Sequence, residues 1–490
     1  CVIDQNSKEP IVGGAVIIKG TSSGTITDID GIFTININDE QPIIQISYLG
    51  YVTKEINITP SSNKKTNLGI IELVSDIKSL DDVTITSSVA VARKTPVAMS
   101  SISGMLIEEK LGTLEFPEVL KSTPGVYADK QGGAYGDSEI YMRGFDNTNI
   151  ATVINGVPMN DMENGSVYWS NWAGLSDVTR SMQTQRGLGA SKVSAPSVGG
   201  TINIITNNLD AEKGGFISYG MGNDNMNKIM FKVSTGMTSN GWALTLLGSR
   251  HWGDGYVQGT DFNAYNWFIN ISKRINDSHQ LSFTAFGAPQ THYQRSNSYG
   301  ALTIAGWQMV EKQYGVKNYK YNATYGFDRN GKRKTSDYNF YHKPQISLNH
   351  QWQINDKSNL STSAYVSIGR GGGYSGQGSQ YGDYSFSDWR GAQYGELNMK
   401  FRKSDGTFDY NAIQEVNETS ETGSLLVMTD SKNYHTWIGL LSTYTTQLAN
   451  CIDVYGGIDF RYYKGTHTNE INDMFGGKYF IDSSRFDVSQ

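Results

Sequence analysis

The chain has 490 residues, 38% hydrophobic and 11% aromatic, with 54 Gly, 10 Pro and a formal net charge of -6. That length exceeds one compact core, the aromatic, Gly-rich, Pro-poor composition favours β-structure, and the charge offers no basic stripe for a nucleic-acid partner. No apolar run reaches the roughly 18 residues of a spanning helix, so passage through a bilayer would need strands, and a mean hydropathy of -0.42 does not oppose this because alternate residues of a spanning strand face away from lipid.

Residues 1–75 carry short apolar runs between turn residues: Ala15-Val16-Ile17-Ile18, Ile32-Phe33-Thr34-Ile35, Ile43 to Tyr48 and Ile56-Asn57-Ile58. Their spacing predicts a small antiparallel β-sandwich. Asp28-Ile29-Asp30-Gly31 offers half of a calcium loop without the remaining ligands and reads as a tight hairpin turn. Cys1 and Cys451 match no metal-ligand spacing and suggest no disulfide framework. A leading Cys would suit a lipoprotein, but Val2-Ile3-Asp4 reads as a first strand and leaves no tether, so a cut from a longer precursor is the expectation. The segment GGAVIIKGTSSGTITDIDGIFTI followed by ISYLGYVTKEI resembles the carboxypeptidase regulatory-like domain, which implies a non-catalytic accessory sandwich.

Residues 76–95 turn polar and small, as in an extended linker. Within them, Leu80-Asp81-Asp82-Val83-Thr84-Ile85-Thr86 is a strand-forming heptamer suited to pairing with the edge of a partner's sheet, or to closing the preceding sandwich. It resembles the TonB box of outer-membrane receptors, which implies capture by periplasmic TonB and its inner-membrane energising complex.

Residues 96–206 mix helical apolar spacing at Ser103–Leu111 and Glu115–Ser122 with strand-like Ala151–Asn155 and Thr201–Thr206, predicting a compact α/β plug. Gly199 and Gly200 suggest close backbone approach. EFPEVLKSTPGV, IYMRGFD, VINGVPMND and VGGTINIIT each resemble the plug domain of TonB-dependent receptors, in order. The resemblance places Arg143 and Arg186 where a plug could be locked to acidic residues of a barrel wall, the alternative being that they organise plug loops.

Residues 207–490 alternate. Trp267, Ile269 and Ile271 share one face against Phe268, Asn270 and Ser272, and Leu360, Thr362, Ala364, Val366 and Ile368 share another. Strands are expected near 214–221, 226–236, 241–251, 263–274, 279–287, 340–353, 359–369, 434–447 and 452–463. Short links alternate with long ones at Pro289–Asp337 and Arg370–Gly423, which suits short periplasmic turns and long extracellular loops. The resembled receptors close with about 22 strands, so the barrel is expected to be incomplete.

No GxSxG, P-loop, Cys-His arrangement or metal-spaced His pair is present, so neither an enzyme nor a cofactor or metal site is expected. Candidate ligand contacts are Asp161, Glu163, Tyr168, Trp169 and Trp172 in one plug loop and Tyr374 and Trp389 in a Gly-rich link that could act as a lid. Aromatic faces beside amides and acids suit sugars, peptides or flat chelates, while a Trp-anchored loop packed on the wall, or a membrane girdle, would use the same residues. The chain thus resembles the front of a TonB-dependent outer-membrane receptor of the Bacteroides type. It is mainly β, with an N-terminal β-sandwich, a small α/β plug and the first part of an antiparallel transmembrane β-barrel. The resemblance implies a Gram-negative outer membrane with its lipid as surroundings, the front domain in the periplasm, and energy-coupled import of a siderophore, haem, cobalamin, peptide or glycan. RGLGASKVSAPSVGGTINIIT departs from the plug ending of importers that pair with a surface lipoprotein, so that partner is not expected. A signalling receptor and a secreted β-rich adhesin are the alternatives.

Overall fold

A computed structural model describes the chain outside residues 38–41, 59–65, 75–97, 131–134, 188–196, 296–300 and 483–490 and some single or paired positions. The heptamer Leu80–Thr86 therefore lies outside the described residues. Two compact units, Cys1–Thr84 and Ile85–Gln490, divide it.

In the first unit the apolar runs form β1 (Val2–Asp4), β2 (Ala15–Ile18), β3 (Gly24–Ile26), β4 (Ile43–Ser47), β5 (Lys54–Asn57) and β6 (Ile71–Leu73). Strands β3-β2-β4-β5 make an antiparallel sheet, whereas β1 and β6 pair in parallel, so the unit is not wholly antiparallel as expected. Their inward residues Val2, Val16, Ile44, Ile46 and Leu73 share one buried core. Ile32–Ile35 forms no ladder, and Phe33 and Ile35 instead pack on that core as extended chain. Asp28 turns the chain by accepting the Asp30 and Ile32 amides at 3.0 and 2.8 Å, with Gly31 at φ 70.

The second unit begins with the plug: β7 (Ala98–Ser103), α1 (Gly104–Leu111), β8 (Val126–Lys130), β9 (Ser138–Met142), β10 (Ile150–Ile154), β11 (Val157–Pro158), β12 (Thr179–Arg186) and β13 (Gly200–Thr206). Its main sheet runs β11-β10-β13-β12-β7. Ser103 caps α1 by accepting the Leu106 amide. Gly200 is forced by close approach, since a Cβ there would stand 2.2 Å from the Gln185 carbonyl and 2.3 Å from Met142 Sδ. A 3-10 helix at Phe116–Ser122 buries Phe116, Val119 and Leu120, and two carboxylates go in with them. Glu115 accepts the Ser138 hydroxyl at 2.7 Å and the Gly136 amide at 3.2 Å. Glu118 accepts the Glu115 amide at 3.0 Å and pairs with Lys121 at 2.7 Å and Lys130 at 3.2 Å. Burial pushes the Glu115 carboxyl above its ordinary range. Burial acts the same way on Glu118 but is outweighed by Lys121 and Lys130, leaving it lowered.

The remaining chain builds a wall. It comprises β14 (Gly214–Met221), β15 (Asn227–Ser234), β16 (Trp242–Gly253), β17 (Phe262–Arg274), β18 (His279–Gly287), β19 (Gln290–Tyr293), α2 (Ile304–Tyr314), β20 (Gly326–Phe327), β21 (Arg333–Lys334), β22 (Tyr338–His342), β23 (Gln345–Asn355), β24 (Ser358–Gly378), β25 (Ala392–Gln393), β26 (Glu396–Leu397), β27 (Phe408–Asp409), α3 (Tyr410–Thr419), β28 (Leu426–Ala449) and β29 (Ile452–Asp473). Among the described residues β14-β15-β16-β17-β18-β23-β24-β28-β29 are successive antiparallel neighbours, with β19 and β22 extending β17 and β24. No described helix is long and apolar enough to cross a membrane. The Gly-rich tract after Arg370 is not a lid: β24 continues through it to Gly378, paired with β22 and β28. Its glycines make room for neighbouring rings. A Cβ on Gly371 would fall 2.1 Å from Tyr341 and one on Gly376 2.0 Å from Trp389. The link between β24 and β28 has a core of its own around Trp389, Phe408, Tyr410 and Ile413.

Glu115→Ala should lower plug stability by about 1–3 kcal/mol, because it leaves the Ser138 and Gly136 donors unmatched in a buried site. Glu115→Gln, which keeps an acceptor, should cost less. Hydrogen exchange of residues 115–142 in urea measures both, and equal losses would contradict the assignment.

Candidate functional site

Alternation gives the wall a polar inner face. Along β17 Asn266, Phe268, Asn270 and Ser272 are buried, while Tyr265 and Ile271 on the opposite face are exposed. The inner polar groups bond laterally: Asn270 Nδ2 donates to Ser282 at 3.0 Å and Thr284 at 2.9 Å, and Ser363 donates to Asn349 at 2.6 Å. Against this face the plug makes close contact. A Cβ on plug Gly174 would stand 2.4 Å from Asn266 Cβ. Plug Tyr135 stacks on wall Phe262 with ring centroids 4.2 Å apart and meets His251 edge-on. Plug Trp169, Trp172 and Leu175 share one core with wall Phe268, Phe286 and Trp437.

Charged groups meet across this seam. Wall Lys228 reaches plug Asp177 at 2.7 Å, with the side chains 14% and 6% exposed, and Lys232 donates to the Asp177 carbonyl at 3.2 Å. Wall Lys343 lies 3.5 Å from plug Asp161, and wall His467 bonds plug Glu163 at 2.9 Å. In the Lys228–Asp177 and Lys343–Asp161 pairs the plug supplies the carboxylate and the wall the cation. Arg186 donates to the Pro124 carbonyl at 2.6 Å within the plug. Arg143, at φ 53, donates its backbone amide to the Gly125 carbonyl at 3.0 Å and lays its guanidinium beside Gly187. Neither shows an ion pair to the wall among the described residues, and both hold plug turns, as in the loop-organising alternative. The wall side of the Asp177 contact is readable in the sequence: Lys228, Met230 and Lys232 alternate with Ile229, Phe231 and Val233, and that parity turns both lysines inward.

The seven candidate ligand residues do not converge on one site. Asp161, Tyr168 and Trp172 line a crevice between the plug loop and Lys343, His435 and Tyr463, of about 20 Å³, which is room for about one water. Glu163 is tied to His467 nearby. Trp169, 3% exposed, packs on Phe116 at 5.6 Å and serves as an anchor, as does the buried Trp172. Tyr374 and Trp389 line a different cleft, of about 280 Å³, between β22, β24, β28 and the folded link. Trp389 itself is buried there, donating its Nε1 to the Gln377 carbonyl at 3.0 Å. Among the described residues no three His, Cys, Asp or Glu side chains converge to hold a metal.

Comparison with known proteins places this architecture. Residues 1–85 match the CarboxypepD_reg-like domain and residues 91–201 the TonB-dependent Receptor Plug Domain. TonB-dependent receptor P39 of Formosa agariphila is 31% identical over 163 residues, 32% of this chain and 15% of that protein. TonB-dependent receptor SusC of Bacteroides thetaiotaomicron is 32% identical over 84 residues, 17% and 8% of the two chains, and vitamin B12 transporter BtuB of Vibrio vulnificus is 24% identical over 167, 33% and 27%. The crystal structure of the ferric-catecholate import receptor Fiu of E. coli in its open form shares the fold with a TM-score of 0.52 at 17% identity, over 80% of this chain and 54% of that one. The unliganded ferric citrate transporter FecA does so with 0.51 at 15%, over 83% and 52%. The chain thus spans about half the length of these structures and less of the sequence relatives. With a CarboxypepD_reg-like domain in front, a plug behind it and the plug seated against strands of the matching wall, the chain belongs to the TonB-dependent receptors of the outer membrane.

Proposed function

We propose that the whole protein imports a scarce solute through the outer membrane by energy-coupled movement of the plug, with Leu80–Thr86 as the segment that TonB grips. The observation that carries this reading is the seam itself. A plug meant to stay would be packed by continuous apolar contact, whereas here the apolar contacts of Tyr135, Trp169, Trp172 and Leu175 with the wall are interspersed with a face of Asn, Ser and Thr and a small set of ion pairs. Groups of that kind exchange protein partners for water at little net cost, about 0.5–1.5 kcal/mol per hydrogen bond. The outer membrane has no nucleotide supply, so the work of unseating must arrive mechanically, and a heptamer of strand-forming sequence ahead of the plug suits strand addition to a partner's sheet. BtuB, Fiu and FecA are named for vitamin B12, ferric catecholates and ferric citrate, a range that leaves this chain's own ligand to its own residues.

Deleting Leu80–Thr86 from the full-length receptor should abolish uptake in cells while surface binding of the same solute persists. Uptake that continues without the heptamer would refute the coupling role. The Asp177–Lys228 pair is expected to set how firmly the plug is seated. Lys228→Met leaves a buried carboxylate unpaired at a cost of roughly 3–5 kcal/mol, and hydrogen exchange of residues 175–186 should accelerate accordingly. Asp177→Asn combined with Lys228→Met should recover most of that protection, and a double variant as loose as the single one would contradict the pairing.

A further inference from the structure

Resting on the import reading, we propose that the cleft between β22, β24 and β28 binds an uncharged, hydroxyl-rich ligand, a small saccharide, and that Asn433 and His467 pass its occupancy to the plug. The cleft lies just under the roughly 300–1,000 Å³ of common small-molecule sites at about 280 Å³. It therefore suits a small saccharide better than a whole cobalamin or bulky chelate. Its polar lining is made of hydroxyls and amides, chiefly Ser336, Ser375, Ser431, Asn339 and Asn433. Charge is balanced, with one acid, Asp337, and one base, Arg390, so no cationic cluster favours an anionic ferric chelate. Aromatic surface from Tyr341 and Phe386 completes it. Amides that donate and accept side by side, set near a ring face, match vicinal hydroxyls above an apolar sugar face.

A bond chain leads from this lining to the plug. Asn433 Nδ2 donates to the Tyr341 hydroxyl and to the Ser431 carbonyl, both at 3.3 Å, which fixes the amide's orientation. Asn433 Oδ1 then meets His467 Nδ1 at 2.7 Å, and His467 Nε2 meets plug Glu163 at 2.9 Å. The Glu163 carboxylate sits where a side chain on Gly465 would be, with its Oε1 2.0 Å from that Cβ position. The neighbouring plug contact, Asp161 with Lys343, lies in the same loop, which is stiffened by Asp161 and Asn164 accepting the Glu163 and Ser166 amides. A ligand hydroxyl that donates to Asn433 Oδ1 competes with His467 Nδ1 for that acceptor, and so loosens the orientation of His467 and its hold on Glu163. His467 lines no part of the cleft and acts as a positioning residue.

The test uses the full-length receptor in detergent micelles and a pool of neutral saccharides, maltotriose, cellobiose, xylobiose and chitobiose, read by saturation-transfer NMR. At least one should bind, with affinity falling tenfold or more in Asn433→Ala and in Asn339→Ala. With that saccharide present, hydrogen exchange of residues 160–166 should quicken at least threefold in the unaltered receptor. In His467→Leu the affinity should stay within twofold while the exchange response vanishes. Thermal midpoints within two degrees of the unaltered receptor guard against misfolding, and Asn433→Ser replaces Asn433→Ala where that variant is unstable. No binding from the pool, binding indifferent to Asn433 and Asn339, or an unchanged exchange response in His467→Leu would each overturn the proposal. TonB-dependent uptake of a ferric chelate instead would overturn it and leave import standing. Saccharide binding without TonB-dependent uptake would uphold the cleft and refute import.

Discussion

Everything in the second unit depends on the wall presenting a polar face inward. The strand period of two sets Asn266, Asn270 and Ser272 on one side of β17 and Tyr265 and Ile271 on the other, so one sequence tract satisfies lipid and plug together. The inner groups are short, which lets the plug backbone come close, as Gly174 does at Asn266. They also bond laterally to one another, so the wall keeps its hydrogen bonds whether or not a given plug contact is made. A wall of that chemistry holds a plug without welding it.

On this background a small number of stronger contacts set where the plug sits. Asp177 with Lys228 is the most enclosed ion pair of the seam, and Asp161 with Lys343 and Glu163 with His467 tie the loop near the other end. Buried pairs of this kind owe their influence to what happens when one partner leaves, since the remaining charge is then stranded. Tyr135 on Phe262, and Trp169, Trp172 and Leu175 with Phe268, Phe286 and Trp437, supply apolar anchoring that carries no such directionality. The plug's internal stability is a separate matter, resting on Glu115 and Glu118 inside EFPEVLKSTPGV, where two buried carboxylates tie the 3-10 helix to β8 and β9.

Much of this was legible in the sequence where a local rule decides it. The strands near 263–274 and 279–287 follow from alternation alone, and the turn at Asp28 from an Asp two and four residues before the amides it accepts. The parallel pairing of β1 with β6 was not, because its partners are some seventy residues apart and no periodicity records that. Arg143 and Arg186 show a related limit: an Arg-Gly pair shows a charge at a turn, while a partner such as Pro124 for Arg186 is set by the fold. The inward lysines of β15 are readable from parity. The tract Gly371-Gly372-Gly373 reads as flexible in isolation, and becomes a strand because Tyr341 on one neighbour fills the space its missing side chains leave. Buried Trp169, Trp172 and Trp389 show the same limit, since composition places an aromatic near a site without saying which way it faces.

The central claim is that the plug must leave its seat on the wall for the solute to pass. A full-length receptor without Cys1 and Cys451, carrying Asp177→Cys and Lys228→Cys joined by a short reducible cross-linker, tests it directly in cells. Uptake should stop while surface binding continues, and should return when the tether is cleaved. Uptake that proceeds through the tethered receptor at the untethered rate would contradict the account.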